Sequence, residues 1–176
     1  MSHPKPLSPA ALIVSLFSAR EPWLEEAARL LEERFGQVAE ASPLLPFTQT
    51  AYYAAEFGEH LVRRFLRFAA LVPQDSLAAV KLACWELEAR LSEAGRRRVN
   101  IDCGLLSAER LLLATGKNYT HRVPLAGGVF ADLTLIFGHG SLQPLPWTYP
   151  DYASPEIIDL LNRFRAGYIV QLRGQA

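Results

Sequence analysis

Two cysteines in 176 residues, Cys84 and Cys103, are too few for a disulfide framework or a structural zinc site. They fall on separate predicted elements, so a reduced, cytoplasmic setting is the compartment expected. No apolar run approaches the ~20 residues that cross a bilayer, and no membrane partner is expected. Ala10 to Phe17 is short and runs straight into a charged helix, so it reads as a buried strand rather than a signal-peptide core. Excess charge of either sign is also missing, because 18 basic and 18 acidic side chains cancel. Phosphate backbones are held by basic surfaces, so nucleic acid is not an expected partner. Arg63-Arg64-x-x-Arg67 and Arg96-Arg97-Arg98 are local exceptions that read as solvated faces. Several catalytic patterns are absent as well. There is no G-x-x-x-x-G-K-[ST] phosphate loop, no G-x-S-x-G elbow and no Cys–His pair at informative spacing. His139-Gly140-Ser141 supplies half of the paired H-x-[ST] arrangement of two-histidine phosphoesterases. The other half is missing, because His121 is followed by Arg122 and Val123. No pattern names a cofactor or a metal.

What is present is a chain in which half the residues are hydrophobic, enough to build a core without staples. We expect one domain over 1–176, with 1–9 as a loose arm rich in proline. Leu12 to Phe17 reads as a strand buried on both faces. After Pro22, the apolar stripe Trp23, Leu24, Ala27, Leu30, Leu31 and Phe35 predicts a helix stopped by Gly36. A short strand falls within 37–49, a second is predicted over Thr50 to Phe57, and 61–72 is read as its antiparallel return. Asp75 is the expected cap of a helix over 76–94 stopped at Gly95, with Leu77, Val80, Cys84, Leu87 and Leu91 inward. Lys81 lies at the margin of that stripe, where its stem packs while its ammonium reaches water or a carboxylate. Val99 to Cys103 alternates, with Asn100 and Asp102 on the polar side. Arg110 to Thr115 is a further strand. Pro144, Pro146 and Pro150 predict a stiff aromatic loop over 142–152, and Ser154 with Pro155 opens a final helix. Gly167 within that helix suggests close approach to another element.

The hairpin around Gly127-Gly128 can be written in register. Two residues free to take positive φ suit a type I′ turn between Tyr119–Ala126 and Val129–Phe137. Val123 then faces Asp132, His121 faces Thr134, and His121 and Asp132 become diagonal neighbours. A three-residue turn instead shifts the pairing by one and sets Arg122 opposite Asp132. In both registers Asp132 gains an imidazole or a guanidinium.

The predicted order β-α-β-β-α-β, followed by three strands and a helix, describes an α+β fold. It is an elaborated ferredoxin-like sandwich: a mainly antiparallel sheet with helices packed on one face and a C-terminal helix. Five stretches then point to a family. Thr50-x-Tyr52-Tyr53-x-x-Glu56-x-Gly58, Lys81, Asn100-x-Asp102-x-Gly104, Ala114-Thr115-x-Lys117-x-x-x-His121-Arg122 and Trp147-Thr148-Tyr149-Pro150-Asp151-Tyr152 together resemble the bacterial and archaeal group known as domain of unknown function 4416. The resemblance covers nearly the whole chain and implies no established activity.

Two readings of the polar residues follow. In the first, a sheet pocket binds a small anionic, nucleotide-like ligand. Lys117 and Arg122 neutralise it, His121 and Asp132 provide acid–base chemistry, and the 147–152 loop covers it. Asn100, Asp102 and Asp151 add polar contacts, and Trp147, Tyr149 and Tyr152 add aromatic ones. In the second, the same aromatics and the last helix form a non-catalytic oligomerisation or protein-interaction surface. A homodimer is compatible with both.

Overall fold

The computed structural model describes residues 3, 6–48, 57 and 60–174. Within them the order is β1 (Ala10–Ser18), α1 (Glu21–Phe35), β2 (Val38–Ala41), β3 (Leu45–Phe47), β4 (Leu61–Val72) and α2 (Leu77–Arg90). There follow β5 (Asn100–Leu106), β6 (Arg110–Thr115), β7 (Arg122–Pro124), β8 (Phe130–Gly138), β9 (Ser141–Pro144) and α3 (Pro155–Gly174). The strands form one sheet ordered β2-β4-β1-β5-β6-β8-β7, with β3 on β4 and β9 on β8, and every described pairing is antiparallel.

All nine residues of β1 are buried, as its unbroken apolar run requires of a central strand covered on both faces. Its alternation assigns the two layers. Leu12, Val14 and Leu16 pack with Leu24, Leu31, Val80 and Cys84 of α1 and α2. Ala11 and Ile13 join Phe65 and the α3 residues Ile157, Leu161, Phe164 and Tyr168. Two helices therefore cover one face and the C-terminal helix covers the other. Burying each of these large apolar side chains contributes about 1.5–3 kcal/mol. α3 starts where the sequence places it, with the Ser154 hydroxyl accepting from Ile157 N at 3.4 Å.

Several expectations need correcting. The helix expected to run to Ala94 ends at Arg90, and Asp75 lies in a 3₁₀ turn ahead of it. Ala94 (φ 48°) and Gly95 (φ 76°) make a tight reversal closed by Glu93 and Arg96, which donate to each other's carbonyls at 2.9 Å. The proline-containing 142–152 stretch is not all loop, because Ser141–Pro144 pairs with β8; Pro144 is tolerated at the end of an edge strand. Residues 61–72 are a strand, as expected, and it pairs with β1, β2 and β3. The strand expected over Thr50 to Phe57 lies outside the described residues except for Phe57. Arg63 and Arg67 are not solvated; they are only 4% and 6% exposed. Arg67 is held by an ion pair to Glu40 at 2.6 Å, and the absence of a side chain on Gly167 makes room for that pair.

The hairpin adopts the three-residue alternative. Leu125 N donates to Val129 O at 2.8 Å, and Ala126-Gly127-Gly128 turns within that bridge, with φ of 67° and 76° at the two glycines. Arg122 therefore stands opposite Asp132, and Val123 faces Ala131. The expected strand from Tyr119 is also shorter, since β7 begins at Arg122 and His121 lies in the preceding turn.

Candidate functional site

β5 pairs with β1 along its full length, from Asn100 opposite Phe17 to Leu106 opposite Ala11. Its pairing with β6 covers only Gly104–Leu106 against Leu111–Leu113. Gly104 makes the close part possible: a Cβ there would sit 2.5 Å from Leu112 O. Beyond it, Asn100–Cys103 of β5 and the end of β6 carry no mutual register, and a cavity of about 670 Å³ occupies this place.

Side chains from α2 satisfy the β5 backbone where β6 does not. Lys81 Nζ donates to Ile101 O at 2.9 Å, and Glu88 Oε1 accepts from Ile101 N at 2.6 Å. Lys81 is also 3.5 Å from Asp102 Oδ1. Burial works against the Lys81 charge, but Asp102 and other neighbours outweigh it, and its pKa lies above the usual lysine value. Burial is the main reason that the Glu88 pKa is raised, against the opposing pull of Lys81. Next to them the Cys84 thiol is pushed well up by its hydrogen bond with Cys103 and by burial, and both thiols are free and buried.

The floor is built around Arg63 of β4. Its Nε donates to Ser15 Oγ at 2.6 Å, and its Nη1 is paired with Asp151 Oδ2. The guanidinium lies over the rings of Phe47, Phe65 and Tyr152 at 4.9, 4.4 and 4.8 Å. Burial disfavours its charge, yet Tyr152 and Asp151 more than compensate, and its pKa is raised. Burial likewise pushes the Tyr152 phenol well above its ordinary value. Next to this floor, Arg97 Nη1 donates to Asn100 Oδ1 at 2.8 Å, and Asn100 Nδ2 donates to Asp102 Oδ2 at 2.7 Å.

A second cluster forms at the far wall. Arg122 Nε donates to Asp132 Oδ2 at 2.8 Å, Nη1 to Lys117 O at 2.8 Å and Nη2 to the Tyr149 hydroxyl at 2.9 Å. His121 Nε2 is 3.2 Å from the same Asp132 oxygen, and its ring stacks on Trp147 at 5.0 Å. Trp147 Nε1 donates to Leu133 O at 2.8 Å and Thr148 Oγ1 to Thr134 O at 2.5 Å, which fixes the 145–154 loop to β8. From that loop Tyr149, Pro150, Asp151 and Tyr152 reach the cavity.

Of the residues expected from sequence, Asn100, Asp102, Lys117, Arg122, Asp132, Tyr149, Asp151 and Tyr152 line this one cavity. His121 and Trp147 do not; they stack together behind Asp132. Missed as site residues were Arg63, Lys81, Arg97 and Trp85, all in its wall. Arg63 carried a sequence signal of a kind: along β4 it shares a face with Phe65 and Leu61, so a charge at that position is directed inward.

The family model described as Domain of unknown function (DUF4416) matches residues 8–168. The chain belongs to this family. No curated protein and no solved structure matches it. In this DUF4416 protein the matched span contains every element from β1 to β9 and α3 as far as Tyr168. It therefore includes the whole cavity wall. Among the described residues, no helix of this DUF4416 chain is long and apolar enough to cross a membrane.

Proposed function

We propose that the cavity between β5 and β6 binds a small anionic, nucleotide-like ligand. One observation carries the reading: its wall contains five cationic side chains, Arg63, Lys81, Arg97, Lys117 and Arg122, against three carboxylates, Asp102, Asp132 and Asp151. A low-dielectric recess with net positive charge concentrates anions. Its volume is that of a small-molecule site, and the Tyr149 to Tyr152 segment supplies a cover. Where the reading extends to acid–base chemistry, a proton from His121 reaches the ligand through the Asp132 carboxylate, which is in the wall while the imidazole is not. The β1–β5 segment is read as ferredoxin-like. Its strand order β2-β4-β1-β5, with both helices on one face, supports that assignment.

Thermal denaturation with a panel of nucleotides and phosphorylated or carboxylated metabolites tests the binding. A ligand at 100 times its Kd adds about 2.7 kcal/mol, a rise of roughly 5–11 °C in Tm for a chain of this size. Lys117→Ala is expected to reduce that rise. A panel in which no anion moves the Tm removes the proposal.

A second reading rests on the sheet edge. Among the described residues β7 is the last strand; Val123 within it is 60% exposed and Tyr119, just before it, 65%. A homodimer through that edge gives a sedimentation mass near twice 19.6 kDa, falling towards the monomer on dilution. A monomer mass at every concentration tested dismisses it.

A further inference from the structure

The charged groups of the wall are not equally open to the cavity. Arg63, Lys81 and Arg122 have side chains only 4%, 5% and 7% exposed. Asp132 and Asp151 are 7% and 16% exposed. Arg97 at 34%, Asp102 at 35% and the exposed Lys117 are therefore the charges that meet a ligand. Two of these are cations and one is a carboxylate.

The carboxylate is the informative member. Asp102 is the counter-charge of the buried Lys81, yet at 35% exposure it also faces the cavity, where it repels a ligand that is nothing but a polyanion. Here Asp102 is positioned beside Arg97 by the Asn100 amide, which accepts from one and donates to the other. An ionised carboxylate has about four acceptor sites, and Asp102 receives one side-chain hydrogen bond and one ammonium. Its remaining capacity suits a ligand donor. A phosphate monoester carries about −1.5 to −2 at neutral pH, a charge that the two accessible cations, Arg97 and Lys117, can hold between them.

We propose that the ligand is a phosphomonoester whose organic part bears hydroxyl groups. Lys117 and Arg97 hold the phosphate, and Asp102 accepts from a hydroxyl. This rests on the anion-binding reading above and narrows it to a sugar phosphate or a nucleoside monophosphate, two sources of one chemistry.

Calorimetric titration of the full chain with six probes tests it: inorganic phosphate, tripolyphosphate, ribose 5-phosphate, ribose, adenosine monophosphate and adenosine. Ribose 5-phosphate and adenosine monophosphate are expected to bind at least about tenfold tighter than phosphate, tripolyphosphate, ribose or adenosine, the scale of one charge-assisted hydrogen bond. Adenosine monophosphate binding more tightly than ribose 5-phosphate assigns the nucleoside source, and equal affinities assign the sugar phosphate. In Asp102→Asn the preference for ribose 5-phosphate over phosphate falls about tenfold, because phosphate loses a repulsive neighbour while the hydroxyl loses a charged acceptor. Phosphate or tripolyphosphate binding as tightly as ribose 5-phosphate overturns the phosphomonoester assignment and leaves the anion site standing. Ribose binding as tightly as ribose 5-phosphate, or no binding by any probe, overturns both.

Discussion

Arg63→Met is expected to cost about 3–5 kcal/mol, because removing one partner of a buried ion pair leaves the other without its counter-charge. Asp151, 16% exposed, is that other partner, and it sits on the loop that covers the cavity. The substitution also takes a guanidinium from between the rings of Phe47, Phe65 and Tyr152, although the methionine stem refills part of the space. In a thermal melt this appears as a fall in Tm of roughly 6–20 °C. Adding Asp151→Asn to Arg63→Met is expected to recover more than half of the loss, since most of it is the uncompensated carboxylate. A single variant within about 1 kcal/mol of wild type, or a double variant no better than the single, means that the pair does not hold the loop to the sheet.

Lys81→Met should follow with a loss of about 2–4 kcal/mol at neutral pH, from an unsatisfied carbonyl and a weakened charge cluster. Ile101 O loses its donor, and the buried Glu88 loses the ammonium that opposes its raised pKa. Asp102 contributes less to the loss because its side chain is about a third exposed and water screens it. The effect carries a pH signature. A carboxyl whose folded pKa is raised stabilises the fold fully below its unfolded pKa and loses that contribution as pH rises through the folded value. Without Lys81 the Glu88 pKa moves further up, so its ionised form costs the fold more. Melts of both proteins between pH 5 and pH 8 should therefore show the gap widening as pH rises. A gap that is constant, or that widens on acidification, removes Glu88 from the account.

At Arg63 and Lys81 the partners are set by segments distant in the chain. By sequence, Arg63 reads with Arg64 and Arg67 as a solvated face; alternation along β4 directs it inward with Leu61 and Phe65 but names no partner for its charge. The partners are Ser15, 48 positions earlier, and Asp151, 88 positions later. Lys81 was placed at the edge of a stripe within reach of a carboxylate. Its backbone partner could not be foreseen, because Ile101 O is open to it only where β6 turns away from β5. The hairpin shows a finer limit. Either turn length is compatible with the sequence, and each gives Asp132 a cationic or imidazole neighbour. The choice between them rests on the backbone bridge from Leu125 to Val129, which two adjacent glycines permit but do not impose.

Local chemistry within the chain was enough to establish several features. The unbroken run of β1 makes it central, the stripes of α1 and α2 give each helix one inward face, and Ser154-Pro155 starts α3. Asn100 and Asp102 alternate with buried neighbours and so share a side of β5. These outcomes depend on residues two to four positions apart, whose mutual geometry a strand or helix fixes by itself. Tertiary structure alone decided that the sheet opens between β5 and β6, that three buried cations border the opening, and that the imidazole lies behind the carboxylate it touches. Each of those depends on segments distant in the chain meeting at a stated register, and a one-residue shift in any of them turns a different set of side chains toward the cavity.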